Sequence, residues 1–139
     1  MRMIVALHAA TGAATGVLTR SRLAALAIGP ALHIAGDRVP HRHPAHPAWE
    51  YLAGILVIGI LAERRGPFDA ATIGAAAAVM PDLEHVVPGL RVRVFHRRRG
   101  GDRHDSTGLS VRTQTLLAAM ILAPLLRTRL KPDTRSQPA

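Results

Sequence analysis

What most constrains this chain is a series of apolar segments that carry no regular polar face. The stretches around 4–18, 49–62, 70–80 and 110–126 are built from Ala, Leu, Ile, Val and Gly, and charged breaks such as Thr19-Arg20-Ser21-Arg22 and Arg64-Arg65-Gly66-Pro67 separate them. A helix of a soluble bundle repeats a polar stripe every 3.6 residues, whereas a helix that is apolar all round has to be covered. A chain of 139 residues is too small to bury four such helices in itself. No β alternation runs long enough to build a sheet, and aromatic residues make up only 3%, fewer than a β-sandwich core wants. The pattern predicts an all-α protein of about five mostly apolar helices, arranged as an integral membrane up-and-down bundle.

The helices are expected at 4–18, 23–39, 49–62, from Asp69 to just before Pro81, and at 110–126. Gly12 and Gly16 form a GxxxG step that lets another helix approach closely, and Pro30 implies a kink in the second. The uninterrupted apolar runs, about 12 to 17 residues, fall short of the roughly 20 that a spanning helix needs. Residues 1–126 read as one helical membrane domain, the first helix as a retained anchor, and 127–139 as a disordered basic tail. Lys and Arg divide almost evenly between the two sides of such a bundle, so the positive-inside rule gives no orientation.

Eighteen Lys and Arg against nine Asp and Glu leave a formal charge of +9, which favours an anionic partner: lipid headgroup, phosphate or nucleic acid. The absence of cysteine removes disulfide scaffolds, thiolate zinc sites, iron–sulfur clusters and cysteine nucleophiles together. Eight histidines remain, seven of them in two short regions that also hold most of the aspartates.

In the first region His33, Asp37 and His41 stand at i, i+4 and i+8, one above another on a helix face. Without thiolates, imidazole and carboxylate are the donors that suit zinc or manganese. Pro40 ends or kinks that helix, so His41 is aimed by the break. The second region is MPDLEHVVP followed by FHRRRGGDRHDS. There Pro81 starts a short helix, Asp82 falls in its first turn and His85 on the same face. Glu84 lies off that face, suited to a general base, a partner of a ligating histidine, or plain solvation. His96 and His104 bracket an arginine-rich loop. An up-and-down topology carries His8, the 33–46 group and the 82–104 group to one face of the bundle. A lone His on an apolar helix, as His8 is, is ordinarily a hydrogen-bonded core residue, and His43 and His46 sit in a proline-broken loop and read as solvated. Glu50, between Trp49 and Tyr51, reads as an interfacial anchor.

These residues resemble a family of small bacterial membrane-bound metal-dependent hydrolases. The resemblance rests on the early His8, the PDxxH element Pro81, Asp82 and His85, and the later His96, Arg97, Gly100, His104 and Ser106. The stretch HIAGDRVPH is also similar to an SHxxxDxxPH segment of related helical membrane proteins, through His33, Asp37, Pro40 and His41. The family pattern has a compact His-Arg-Gly and then Thr-His-Ser; here the two histidines are eight apart and Asp102-Arg103 precedes the second. Glu84 stands where an aspartate is usual. The resemblance implies a bacterial inner-membrane location and a divalent metal site.

The resulting expectation is a metal-dependent hydrolase. His8, His33, Asp37, His41, Asp82 and His85 are its candidate ligands for zinc or manganese, Glu84 its candidate base, and His104 a ligand or acid. Such an ion lowers the pKa of a bound water. Arginines at the same face suggest a phosphate-bearing or lipid substrate. The alternatives are a non-catalytic basic membrane protein and a peripheral protein that binds nucleic acid or anionic lipid through 91–103. Phe95 alone near that loop argues against nucleic-acid stacking. Flat small-residue faces also suit packing against a second copy, with no pattern that sets a number.

Overall fold

Short polar side chains write the boundaries of the helices. Ser21 caps one helix by accepting the amide of Ala24 at 3.2 Å, and Asp69 caps another by accepting that of Ala71 at 3.0 Å. Gly66, at φ 99°, makes a backbone turn that other residues rarely adopt, between the Arg64-Arg65 break and that second cap. The computed structural model describes residues 4–42, 47–85 and 108–127, without the side chains of 47, 84 and 85. Within them lie five helices: α1 (Val5–Thr19), α2 (Arg22–Gly36), α3 (Pro47–Arg65), α4 (Ala70–Val79) and α5 (Val111–Arg127). A 3-10 helix, Met80–His85, continues α4. The described residues contain no strand, only an isolated bridge between His41 and Leu109.

The all-α expectation holds, and the expected spans need correction. No helix among the described residues is long and apolar enough to cross a membrane. α1 and α2 have 15 residues each, and α3, at 19, carries Glu50, Glu63, Arg64 and Arg65 near its ends. The second helix also ends three residues earlier than expected, at Gly36, with Asp37 as its C-cap.

α1 and α4 form the centre of the bundle, antiparallel and nearly touching. A Cβ placed on Gly12 would lie 2.1 Å from the carbonyl oxygen of Gly74, and one on Gly16 would lie 2.0 Å from that of Ala70. The GxxxG step in α1 therefore does what its spacing predicts. α2 packs on this pair away from α3 and α5; α3 also touches both helices of the pair, and α5 packs on α1 and α3. Ala9, Ala10, Ala13, Ala71 and Ala75 fill the interior together with the larger Ile4, Val5, Leu7, Leu61 and Leu122. Leu23, Leu52, Ile55, Leu56, Leu116 and Met120 point outward.

Two clasps tie the ends of the bundle. At one end the Arg65 guanidinium donates to Asp69 at 2.8 Å and to the Leu125 carbonyl at 3.2 Å, which joins the end of α3 to the start of α4 and the end of α5. At the other, the segment at 40–42 pairs with 109, the Leu109 amide donating to Pro40 and the Arg42 amide to Leu109, both at 2.9 Å. Asp37, His41 and Asp82 lie at this second end, with His8 and His33 a turn inside it.

Candidate metal centre

His8 sits one turn into α1, His33 in the last turn of α2 and Asp37 just past it. Because α2 returns along α1, the three come together: a donor atom from each lies within 4.8 Å of the others. His8 Nε2 stands 3.1 Å from Asp37 Oδ1 and His33 Nε2 stands 3.4 Å from Oδ2 of the same carboxylate. The two imidazoles stack, ring centres 3.9 Å apart and planes 21° apart. Asp82, delivered by the 3-10 helix and almost wholly buried, brings Oδ1 to 3.6 Å from His33 Nε2. Both histidines are fully inaccessible to solvent.

The hydrogen bond of His33 Nδ1 decides what the cluster can be. That nitrogen lies 2.8 Å from the carbonyl oxygen of Ala78, an atom that only accepts, so Nδ1 carries the proton. In a neutral ring Nε2 is then a lone pair, and it faces the carboxylates of Asp37 and Asp82. Lone pair against anion is repulsive, and a cation at Nε2, a proton or a metal ion, relieves it. A backbone carbonyl that fixes one ring nitrogen so that the other can ligate is the usual support of a metal-bound histidine. Stacked imidazolium rings would repel each other, so protonating both histidines is a poor remedy.

Donor chemistry and charge also fit a divalent ion. Two imidazoles with one or two carboxylates, and no sulfur, suit zinc or manganese. Two carboxylates and a dication among neutral rings sum to zero charge, the condition under which buried ionic groups cost least. His8 Nδ1 has no hydrogen-bond partner among the described residues, although native interiors pair nearly all such atoms.

The remaining sequence candidates fare differently. His41 is buried, yet it is not one of the three residues whose donor atoms converge; its Nδ1 bonds to the Val39 carbonyl. The expected i, i+4, i+8 ladder stops at Asp37 because the helix stops there, and His41 continues in the extended segment paired with Leu109. Glu84 and His85 have described backbone in the 3-10 helix, but their side chains lie outside the described residues, as do His43, His46, His96 and His104. Glu50 is in the first turn of α3, beside the exposed Trp49.

Gln114 was not among the sequence candidates, and the site's frame depends on it. Fully buried, it accepts the Ile4 amide at 3.0 Å and donates to the carbonyls of Arg42 at 2.8 Å and Leu109 at 3.1 Å. One side chain thus joins the start of α1, which carries His8, to the segment that follows Asp37. The available signal was a single amide at the polar start of α5, among Arg112, Thr113 and Thr115. No family model matches the chain, and no curated protein or solved structure gives a significant match.

Proposed function

We propose that the protein is a metal-dependent hydrolase embedded in a lipid bilayer. His8, His33 and Asp37 hold its zinc or manganese ion, with Asp82 beside His33. The observation that carries this reading is the Nδ1–H of His33 spent on Ala78, which leaves Nε2 facing two carboxylates. When bound, a divalent ion supplies a coordinated water whose pKa is brought near neutrality. The chain's own part is to fix donor orientation: Ala78 sets the His33 tautomer, the stack sets the plane of His8, and the Gln114 clasp keeps α1 in register with α2. By motif resemblance Glu84 serves as base, His85 as a further ligand and His104 as ligand or acid. Arg38 and Arg42 are exposed on the segment that leaves Asp37, which favours a phosphate-bearing substrate.

The bilayer part of the proposal is supported by the large apolar side chains left outside, among them Leu23, Leu52, Ile55, Leu56, Leu116 and Met120, around an interior in which alanine, glycine and polar groups outnumber the larger Ile4, Val5, Leu7, Leu61 and Leu122. In water that arrangement leaves most of the large apolar surface exposed; in lipid it is the expected one. The test is hydrolysis of a generic aryl phosphoester by detergent-purified, untagged protein, before and after chelation and with zinc or manganese restored. Turnover that chelation abolishes, that metal restores and that Asp37→Asn removes is expected. Turnover indifferent to chelator, or none in metal-loaded protein, overturns the hydrolase.

A further inference from the structure

Among the described residues, charge is confined to the two ends of the bundle. Between the ends, α2, α3 and α5 carry no Asp, Glu, Lys or Arg over residues 23–36, 51–62 and 113–126. Exposed large apolar side chains cover these stretches on opposite sides of the central α1–α4 pair: Leu23 and Leu26 on α2, Leu52, Ile55 and Leu56 on α3, Leu116 and Met120 on α5. An interface with one protein partner would leave some side of the bundle polar, and among the described residues none is. Exposed hydroxyls are also spent internally, Thr19 on the Thr15 carbonyl and Thr115 on that of Val111, as an apolar surrounding requires.

At 1.5 Å per residue the charge-free stretches are only about 18–21 Å long, against roughly 30 Å of hydrocarbon in a typical bilayer. Exposed arginines bound the belt, with Arg20, Arg22, Arg64 and Arg127 at one end and Arg38, Arg42 and Arg112 at the other. At the first end Asp69 is already engaged by Arg65, which leaves Glu63 as the exposed acid there. Resting on the bilayer reading above, we infer that the protein's partner is a thin region of anionic bilayer, matched to a belt some 10 Å narrower than usual. A belt this short is accommodated by thinning the lipid around it, and the basic rims complement phospholipid headgroups.

The experiment is insertion of the full chain from detergent into vesicles of phosphatidylcholine and phosphatidylglycerol. Their monounsaturated acyl chains have fourteen, eighteen or twenty-two carbons. Insertion is read as the fraction that floats with lipid after carbonate washing, and as quenching of the lone Trp49 by brominated chains. Insertion several-fold greater in the fourteen-carbon vesicles than in the twenty-two-carbon ones, and weakened when phosphatidylglycerol is omitted, is expected. Equal insertion at all lengths, or a maximum at the longer chains, overturns the thin belt while leaving the bilayer reading in place. Protein that stays in the aqueous fraction with every vesicle overturns both, and insertion indifferent to phosphatidylglycerol overturns the anionic preference.

Discussion

Asp37 is the residue on which the site turns, since its two oxygens face two different histidines from two helices. Asp37→Asn keeps the shape and removes the charge, and is expected to weaken zinc or manganese binding at least tenfold, measured by competition with a chromophoric chelator. His41→Ala, outside the converging group, is expected to leave that affinity within about twofold. Because imidazole ligates only when deprotonated, metal retention should fall away as pH drops below the ordinary histidine pKa of about 6.5. A retention curve flat to pH 4 would speak against histidine ligation. At this scale the sequence showed that topology would gather His8, His33, Asp37 and Asp82 at one end. It marked the break at Pro40, but it could not show that the helix stops already at Gly36 or that the 40–42 segment pairs with Leu109. Nor did it single out Gln114, whose importance lies in three backbone groups from distant parts of the chain. Gln114→Leu orphans those groups and is expected to cost at least about 2 kcal/mol in chemical denaturation.

Among the elements, the close crossing of α1 on α4 holds the helix carrying His8 against the helix that carries Ala78 and leads to Asp82. No side chain fits at Gly12, so Gly12→Ala must push the helices apart, at an expected cost of about 1–3 kcal/mol with metal affinity falling alongside. Gly59, on the exposed side of α3, has nothing within 4 Å of where its Cβ would be. Gly59→Ala is expected to stabilise by up to about 1 kcal/mol through helix propensity alone. Thermal or denaturant unfolding of the two variants side by side checks both; equal effects would contradict the packing described. The helices were legible in the sequence to within a few residues because capping residues, prolines and charged breaks mark their ends. α3 ran on past Ala62 through Glu63, Arg64 and Arg65, since charged residues are good helix formers and stop a hydrophobic pattern without stopping a helix.

At the scale of the whole molecule, alanine, glycine and polar groups make up most of the described interior, with Ile4, Val5, Leu7, Leu61 and Leu122 among them, while many large aliphatic groups lie outside. Leu52→Glu with Leu56→Glu, placing two charges in the belt of α3, is expected to abolish carbonate-resistant association with lipid while raising solubility without detergent. An unchanged membrane fraction would contradict lipid contact at that face. The lack of polar stripes in the sequence accords with the apolar side chains on the outside of the described helices, although none of these helices is long and apolar enough to cross a membrane. The short span of the belt came from where the helices end. The central claim is a divalent ion in the His8, His33, Asp37 and Asp82 group, and elemental mass spectrometry of untagged, detergent-purified protein tests it most directly, wild type beside Asp37→Asn and His8→Gln. The expected result is close to one zinc or manganese per chain in the wild type and little in either variant, with helical circular dichroism unchanged. Wild-type protein that holds no metal after incubation with both ions would contradict it, and would leave a proton on His33 as the cation between the two carboxylates.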